Sequence, residues 1–163
     1  MSDTTFEEKI VSKLKEKFDG LEGKCSIQRA RRITVDATGP DFMNIIEYIS
    51  DTEGFTMLNT ITGLDLGTEF QAIYHIANPN GTVINFKLNI PKDNPEIDTV
   101  TGIYQGGVLY ERELKDMLGI IVKGLPPGHR YPLPETWPEG EYPLRKDWKQ
   151  VGEFHEEGGT DNG

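Results

Sequence analysis

Two runs rich in β-branched and aromatic residues, Glu69 to Ala77 and Thr82 to Ile90, are separated by Asn78-Pro79-Asn80-Gly81. These turn residues reverse a chain sharply, because Gly takes left-handed backbone freely and Asn bonds its own backbone. Strands joined by so short a turn are antiparallel, since a parallel pair needs a crossover of a dozen residues or more. A mainly antiparallel sheet is therefore expected at the centre of the fold.

The flanking sequence supplies helices to cover that sheet. Thr5 and Glu8 have capping-box spacing, and Phe6, Ile10, Leu14 and Phe18 then recur at helical spacing until Gly20 supplies a stop. Ser26 to Ala30 and Arg31 to Thr38 follow as strands, with Ile33, Val35 and Ala37 alternating with polar neighbours. Gly39-Pro40-Asp41 opens a second helix, in which Phe42, Ile45, Ile46 and Ile49 form one apolar face, and Gly54 closes it. Phe55 to Thr62 reads as a strand, Glu96 to Tyr104 as a short edge element after the break at Pro91 to Pro95, and Gly106-Gly107 precede a third helix. The expected order is α-β-β-α-β-β-β-α. That is an α+β two-layer domain, helices packed on a mainly antiparallel sheet, over residues 1–123.

From Gly124 the composition changes. Six prolines between Pro126 and Pro143 exclude regular helix or central strand, so residues 124–150 are expected to run as an extended Pro-rich tail. The same run carries Leu125, Tyr131, Leu133, Trp137, Tyr142, Leu144 and Trp148, more large apolar groups than a solvated linker needs. It is expected to be docked, on a partner or back on its own sheet. Residues 151–163 hold three Glu, one Asp and little apolar content, and are expected to be a disordered acidic tail.

Several function classes are disfavoured. A net charge of −10 repels nucleic-acid phosphates. Spanning a bilayer takes about 20 apolar residues, and the stretch around Met117 to Val122 is far shorter. The N-terminal MSDTTFEEK lacks the basic start and apolar middle of a secretory signal, so a cytoplasmic location is expected, with any membrane association through partners. Cys25 stands alone, and His75, His129 and His155 show neither HxxxH nor HxH spacing, so no metal site, cofactor site or catalytic residue is assigned to this chain. Neither GxGxxG nor a P-loop occurs.

Tyr110 to Asp116 packs three carboxylates and two cations into seven residues. The wheel places Leu114, Met117, Leu118 and Ile121 on the buried face, with Glu111 to Lys115 and Arg112 to Asp116 as i, i+4 pairs on the outer side. Glu113 is then the carboxylate without a local partner. It either takes one from the tail or another subunit, or stays an ordinary boundary Glu in water. An acid–base enzyme built on Glu113 and His129 would need a fixed partner for His129 that the sequence does not identify. Pro143-Leu144-Arg145-Lys146-Asp147 ahead of Trp148 mixes cations, an anion and apolar anchors as an interface does.

Gly102-Ile103-Tyr104, Glu111-Arg112-Glu113 with Asp116 and Gly119-Ile120, Leu133-Pro134 with Trp137, and Pro143-Leu144-Arg145-Lys146-Asp147 together resemble the NADH-quinone oxidoreductase family of C-type subunits. That family is the small peripheral-arm subunit of respiratory complex I and of related energy-converting nickel-iron hydrogenases. The likeness runs from Gly102 to Trp148. It implies a subunit without a redox centre on the cytoplasmic face of the membrane, lying against a large catalytic subunit, with iron-sulfur clusters and the nickel-iron site in partner subunits. It also implies that Glu111, Arg112, Glu113 and Asp116 hold the domain together, while Trp137, Pro143 to Asp147 and Trp148 extend along the neighbour. Gly128-His129 is followed directly by Arg130-Tyr131-Pro132-Leu133-Pro134, where the respiratory form has GHPxLRR before LPxxW. The compact version is more similar to the hydrogenase members.

Overall fold

A computed structural model describes residues 4–37 and 39–149. The acidic stretch 151–163 lies outside the described residues. Helix α1 (Thr5–Lys17) is followed by β1 (Cys25–Arg29), β2 (Arg32–Ala37), α2 (Gly39–Asp51), β3 (Met57–Asp65), β4 (Glu69–Ala77) and β5 (Val83–Pro91). Then come β6 (Glu96–Asp98), α3 (Gly107–Leu118) and β7 (Ile121–Lys123). Strands β1 to β5 form one sheet in the order β1-β2-β5-β4-β3, and β6 pairs with β7 in a separate two-stranded sheet.

The expected hairpin is β4 and β5, which pair from Glu69 with Pro91 to Ala77 with Val83. Its turn is held by Asn78, whose Oδ1 accepts the N–H groups of Asn80 at 3.1 Å and Thr82 at 3.0 Å. Gly81 takes a φ of +81°, which an L side chain adopts only with strain. One pairing in the main sheet is parallel: β5 returns beside β2, aligning Ile33 with Ile84 and Val35 with Phe86.

Alternation gives the sheet one apolar face. Ile33, Val35, Phe70, Tyr74, Ile76, Ile84, Phe86 and Leu88 are buried on it. Helix α2 buries Phe42, Ile45, Ile46 and Ile49 there, with the Phe42 and Tyr74 rings 4.7 Å apart. Each such side chain contributes roughly 1.5–3 kcal/mol by leaving water. Helix α3 lies against β3 on the same face, because Gly63 has no side chain; a Cβ there would meet Leu114 at 2.6 Å and Leu118 at 2.7 Å. The opposite face is polar and self-paired. His75 bridges Thr62 at 3.0 Å and Asn85 at 2.8 Å, and Asn89 links Gln71 to Glu69.

Four expectations need correction. In α1 Ile10 and Leu14 are buried as expected, but in the first turn the inward residue is Glu7, 3% exposed, and Phe6 is 41% exposed. Glu7 turns in because its Oε1 accepts the Arg31 N–H at 2.7 Å in the β1–β2 turn, where Arg31 has a φ of +63°. The cap residue of α1 is Thr4, one position before Thr5, and its hydroxyl donates to Glu8. Helix α3 ends at Leu118, so Ile121 is not on its buried face; it lies in β7 and is 51% exposed. Finally, Glu96 to Tyr104 is not one edge element: only Glu96–Asp98 is strand, paired in parallel with Ile121–Lys123.

Candidate docking surface

The carboxylates and cations of α3 do not pair along the helix as the i, i+4 spacing suggested. Glu111 lies on the same stripe as Leu114 and Leu118 and is fully buried. Its Oε1 accepts the Val100 N–H at 2.7 Å and its Oε2 the Thr99 hydroxyl at 2.5 Å, so it ties the loop after β6 to the helix. Burial pushes its carboxyl above the ordinary range, and the Thr99 and Val100 donors oppose that. Glu113, the carboxylate singled out from sequence, is half-buried and makes no hydrogen bond or ion pair with another described residue. The carboxylate that is enclosed and bonded is Glu111.

Arg112 and Asp116 turn instead to the tail. The Arg112 guanidinium donates to the carbonyls of Pro126 at 3.4 Å and Pro127 at 3.0 Å, carbonyls that proline's missing N–H leaves without a ladder. Gly128 faces that guanidinium, and any Cβ there would collide with it. Asp116, 5% exposed, accepts the Tyr131 N–H at 3.0 Å and lies 3.5 Å from Arg130 Nε. Arg130 also donates to the Trp137 carbonyl at 2.7 Å.

The last turn of α3 is closed by the tail as well. A helix leaves its final carbonyls without intrahelical donors. Here Gly119, at a φ of +73°, bonds back to Lys115, the Leu144 N–H donates to the Met117 carbonyl at 3.0 Å, and Arg145 Nε donates to the Leu118 carbonyl at 2.7 Å. The Arg145 guanidinium also lies over the rings of Tyr142 and Phe70, at 4.3 and 5.1 Å. One residue further, the Lys146 N–H donates to Asp65 at 2.9 Å. Asp65 also receives Lys92 at 2.7 Å and the Gly67 N–H. Burial alone would raise its carboxyl, but these donors outweigh burial and hold it at about 2.

Past that anchor the tail closes on itself. Trp137 donates its indole N–H to the Glu141 carbonyl and Trp148 to the Glu141 carboxylate, with the two rings 6.2 Å apart. Residues 124–149 contain neither helix nor strand but run through turns, so the segment is bent more than the expected extended tail. Between it and the end of α3 lies a cleft of about 660 Å³, bordered by Lys115, Asp116, Ile121, Leu125, His129 and Tyr142. His129 is 96% exposed and 3.2 Å from Glu135, and Glu113 does not border that cleft. Among the described residues, no group of three or more His, Cys, Asp or Glu could hold a metal ion. Likewise no helix among them is long and apolar enough to cross a membrane.

Of the PLRKD segment, Arg145 and the Lys146 backbone are committed to this chain. Leu144 is 48% exposed, and the side chains of Lys146 and Asp147 are exposed beside it. With Tyr131, 43% exposed, and Ile121, they give the tail side an outward apolar and charged surface. Asp65, Lys92 and Thr99 are the site residues that sequence reasoning missed. Asp65 stands between Gly63 and Gly67 in what reads locally as a turn, and its partners Lys92 and Lys146 are 27 and 81 residues away.

The C subunit of the F(420)H(2) dehydrogenase of Methanosarcina mazei is 32% identical to this chain over 143 residues, covering 86% of this chain and 90% of that one. The membrane-bound hydrogenase subunit beta of Pyrococcus furiosus is 28% identical over 152 residues, covering 90% and 88%. Among solved structures, a polypeptide of the membrane-bound sulfane sulfur reductase, an archaeal respiratory membrane complex, superposes with a TM-score of 0.78 at 26% identity, covering 88% of this chain and 86% of that one. Residues 34–154, from β2 through the tail, match the family described as "Respiratory-chain NADH dehydrogenase, 30 Kd subunit". The protein belongs to that family.

Proposed function

We propose that this protein is a structural subunit of the peripheral arm of a membrane-bound, ion-translocating energy-converting nickel-iron hydrogenase, and that its tail side docks on the large catalytic subunit. The observation that carries the reading is the pairing of a likeness to a membrane-bound hydrogenase subunit over 90% of this chain with a tail pinned to its own domain on one side and presenting Tyr131, Leu144, Lys146 and Asp147 on the other. Aromatic and aliphatic anchors beside charges suit an interface whose centre is apolar and whose rim is polar. In this reading the iron-sulfur clusters and nickel-iron site reside in partner subunits, and attachment to the cytoplasmic side of the membrane is through them.

A second reading has its own support. The Methanosarcina mazei relative is a dehydrogenase subunit and is the more identical of the two, which favours the corresponding subunit of an NADH-quinone or other donor oxidoreductase. Purification of the tagged full-length protein from native membranes separates the two. Co-purification of a nickel-containing large subunit supports the hydrogenase, and co-purification of a flavin-bearing input module supports the dehydrogenase. A protein that purifies alone overturns both.

A further inference from the structure

The tip of the β1–β2 hairpin carries Arg29, Arg31 and Arg32 on a protein whose net charge is −10. Arg29 stands directly across the ladder from Arg32, and like charges so opposed destabilise a strand pair. No ion pair among the described residues joins any of the three to a carboxylate. Glu7 reaches this turn but accepts from the backbone N–H of Arg31. Arg32 is anchored internally, donating to the carbonyls of Arg31 at 2.7 Å and Gly81 at 3.3 Å. Arg29 and Arg31 remain exposed, and Arg31 borders a pocket of about 510 Å³ together with Phe6 and Asn80.

The strand beside them has a free side. β1 is the outermost strand of the sheet, paired only with β2, and Ser26 and Gln28 on it are exposed. Charge on an edge strand discourages unwanted pairing, which accounts for Arg29. It does not account for the exposed Arg31 in the turn.

We propose that this hairpin docks an extended, carboxylate-rich segment of a neighbouring protein subunit. The segment pairs along the free edge of β1, sets its carboxylates against Arg29 and Arg31, and rests an apolar side chain on Phe6. Backbone pairing at a sheet edge supplies affinity, and the arginine forks supply selectivity for carboxylates. The proposal rests on the protein being a subunit of a larger complex, but involves the opposite end of the sheet from the Asp65 anchor of the tail.

The test places a photoreactive benzoylphenylalanine at Gln28 in the full-length tagged protein, irradiates native membranes, and maps the crosslinked peptide by mass spectrometry. The expected product joins position 28 to an acidic segment of a co-purifying subunit. The double variant Arg29→Glu with Arg31→Asn should lower its yield about tenfold, as expected from losing two exposed charge pairs. Asn suits the left-handed backbone at position 31. Arg29→Gln alone, which leaves the turn untouched, should lower the yield about two- to fivefold by the same reasoning. A crosslink to lipid, to a second copy of this protein or to a segment without carboxylates overturns the proposal, as does an unchanged yield in the folded variants. Co-purification without any crosslink sinks the docking site alone, and failure to co-purify sinks the subunit reading with it.

Discussion

Asp65 has a side chain only 1% exposed, and Lys92 with the N–H groups of Lys146 and Gly67 keeps it ionised down to about 2. A folded value below the unfolded one near 4 means that its contribution is full above that pH and is lost as pH falls toward 2. Glu111 has the opposite sign. Its folded value is raised by burial, so its contribution is full below the unfolded value and declines as pH rises through the folded one. Urea unfolding of Asp65→Asn should therefore show a deficit of about 1–2 kcal/mol at neutral pH that closes near pH 2. Glu111→Gln retains an acceptor for the Val100 N–H and sheds the charge, so its loss at neutral pH should stay within about 1 kcal/mol. Glu111→Ala strands the buried Val100 donor and should cost about 2–4 kcal/mol. Equal losses for Gln and Ala would show that the negative charge itself is needed. The stripe of Glu111, Leu114 and Leu118 was readable on the helical wheel, but a nearby Lys115 offered an easier pairing. The true partners, Thr99 and the Val100 N–H, come from a loop that nothing local marks.

At the scale of elements, the end of α3 decides where the tail can lie. Gly119 supplies the left-handed residue that stops the helix, and it also leaves room for the tail: a Cβ there would meet Arg145 at 2.5 Å and the Tyr142 ring at 2.6 Å. Gly119→Ala should thus combine backbone strain with loss of the Arg145 bond to Leu118, lowering stability by about 2 kcal/mol or more. Limited proteolysis should then cut within the tail sooner than in the parent. Tail protection equal to the parent's would mean that Arg145 is not what holds it. The apolar spacing of Leu114, Met117, Leu118 and Ile121 carried the expected helix across Gly119, the residue that ends it, and hid β7. Short parallel pairing such as β6 with β7 leaves no turn signature, because its two strands are separated by a whole helix.

Across the whole molecule, the buried sheet face, α1, α2 and α3 all precede Gly124. A polypeptide ending there should still fold, though with the Met117 and Leu118 carbonyls uncovered and Asp65 deprived of the Lys146 N–H. Thermal unfolding should remain cooperative with a lower midpoint, while incorporation into the complex is lost. Full incorporation of the truncated protein would remove the docking role from residues 124–150. Among the described residues, two layers, three α-helices and a mainly antiparallel sheet followed from periodicity and one strong turn. The insertion of β5 beside β2 did not, since register between distant strands depends on which faces must be buried together.

Trp137 and Trp148, the only tryptophans in 163 residues, are both held by Glu141 within the tail, and the domain has none. Indole emission consequently reports the tail alone, while four of the six tyrosines, the buried Tyr74 and Tyr104 among them, lie in the domain. The unmodified protein carries its own two-channel optical probe, with which seating on a partner could be followed in real time independently of unfolding.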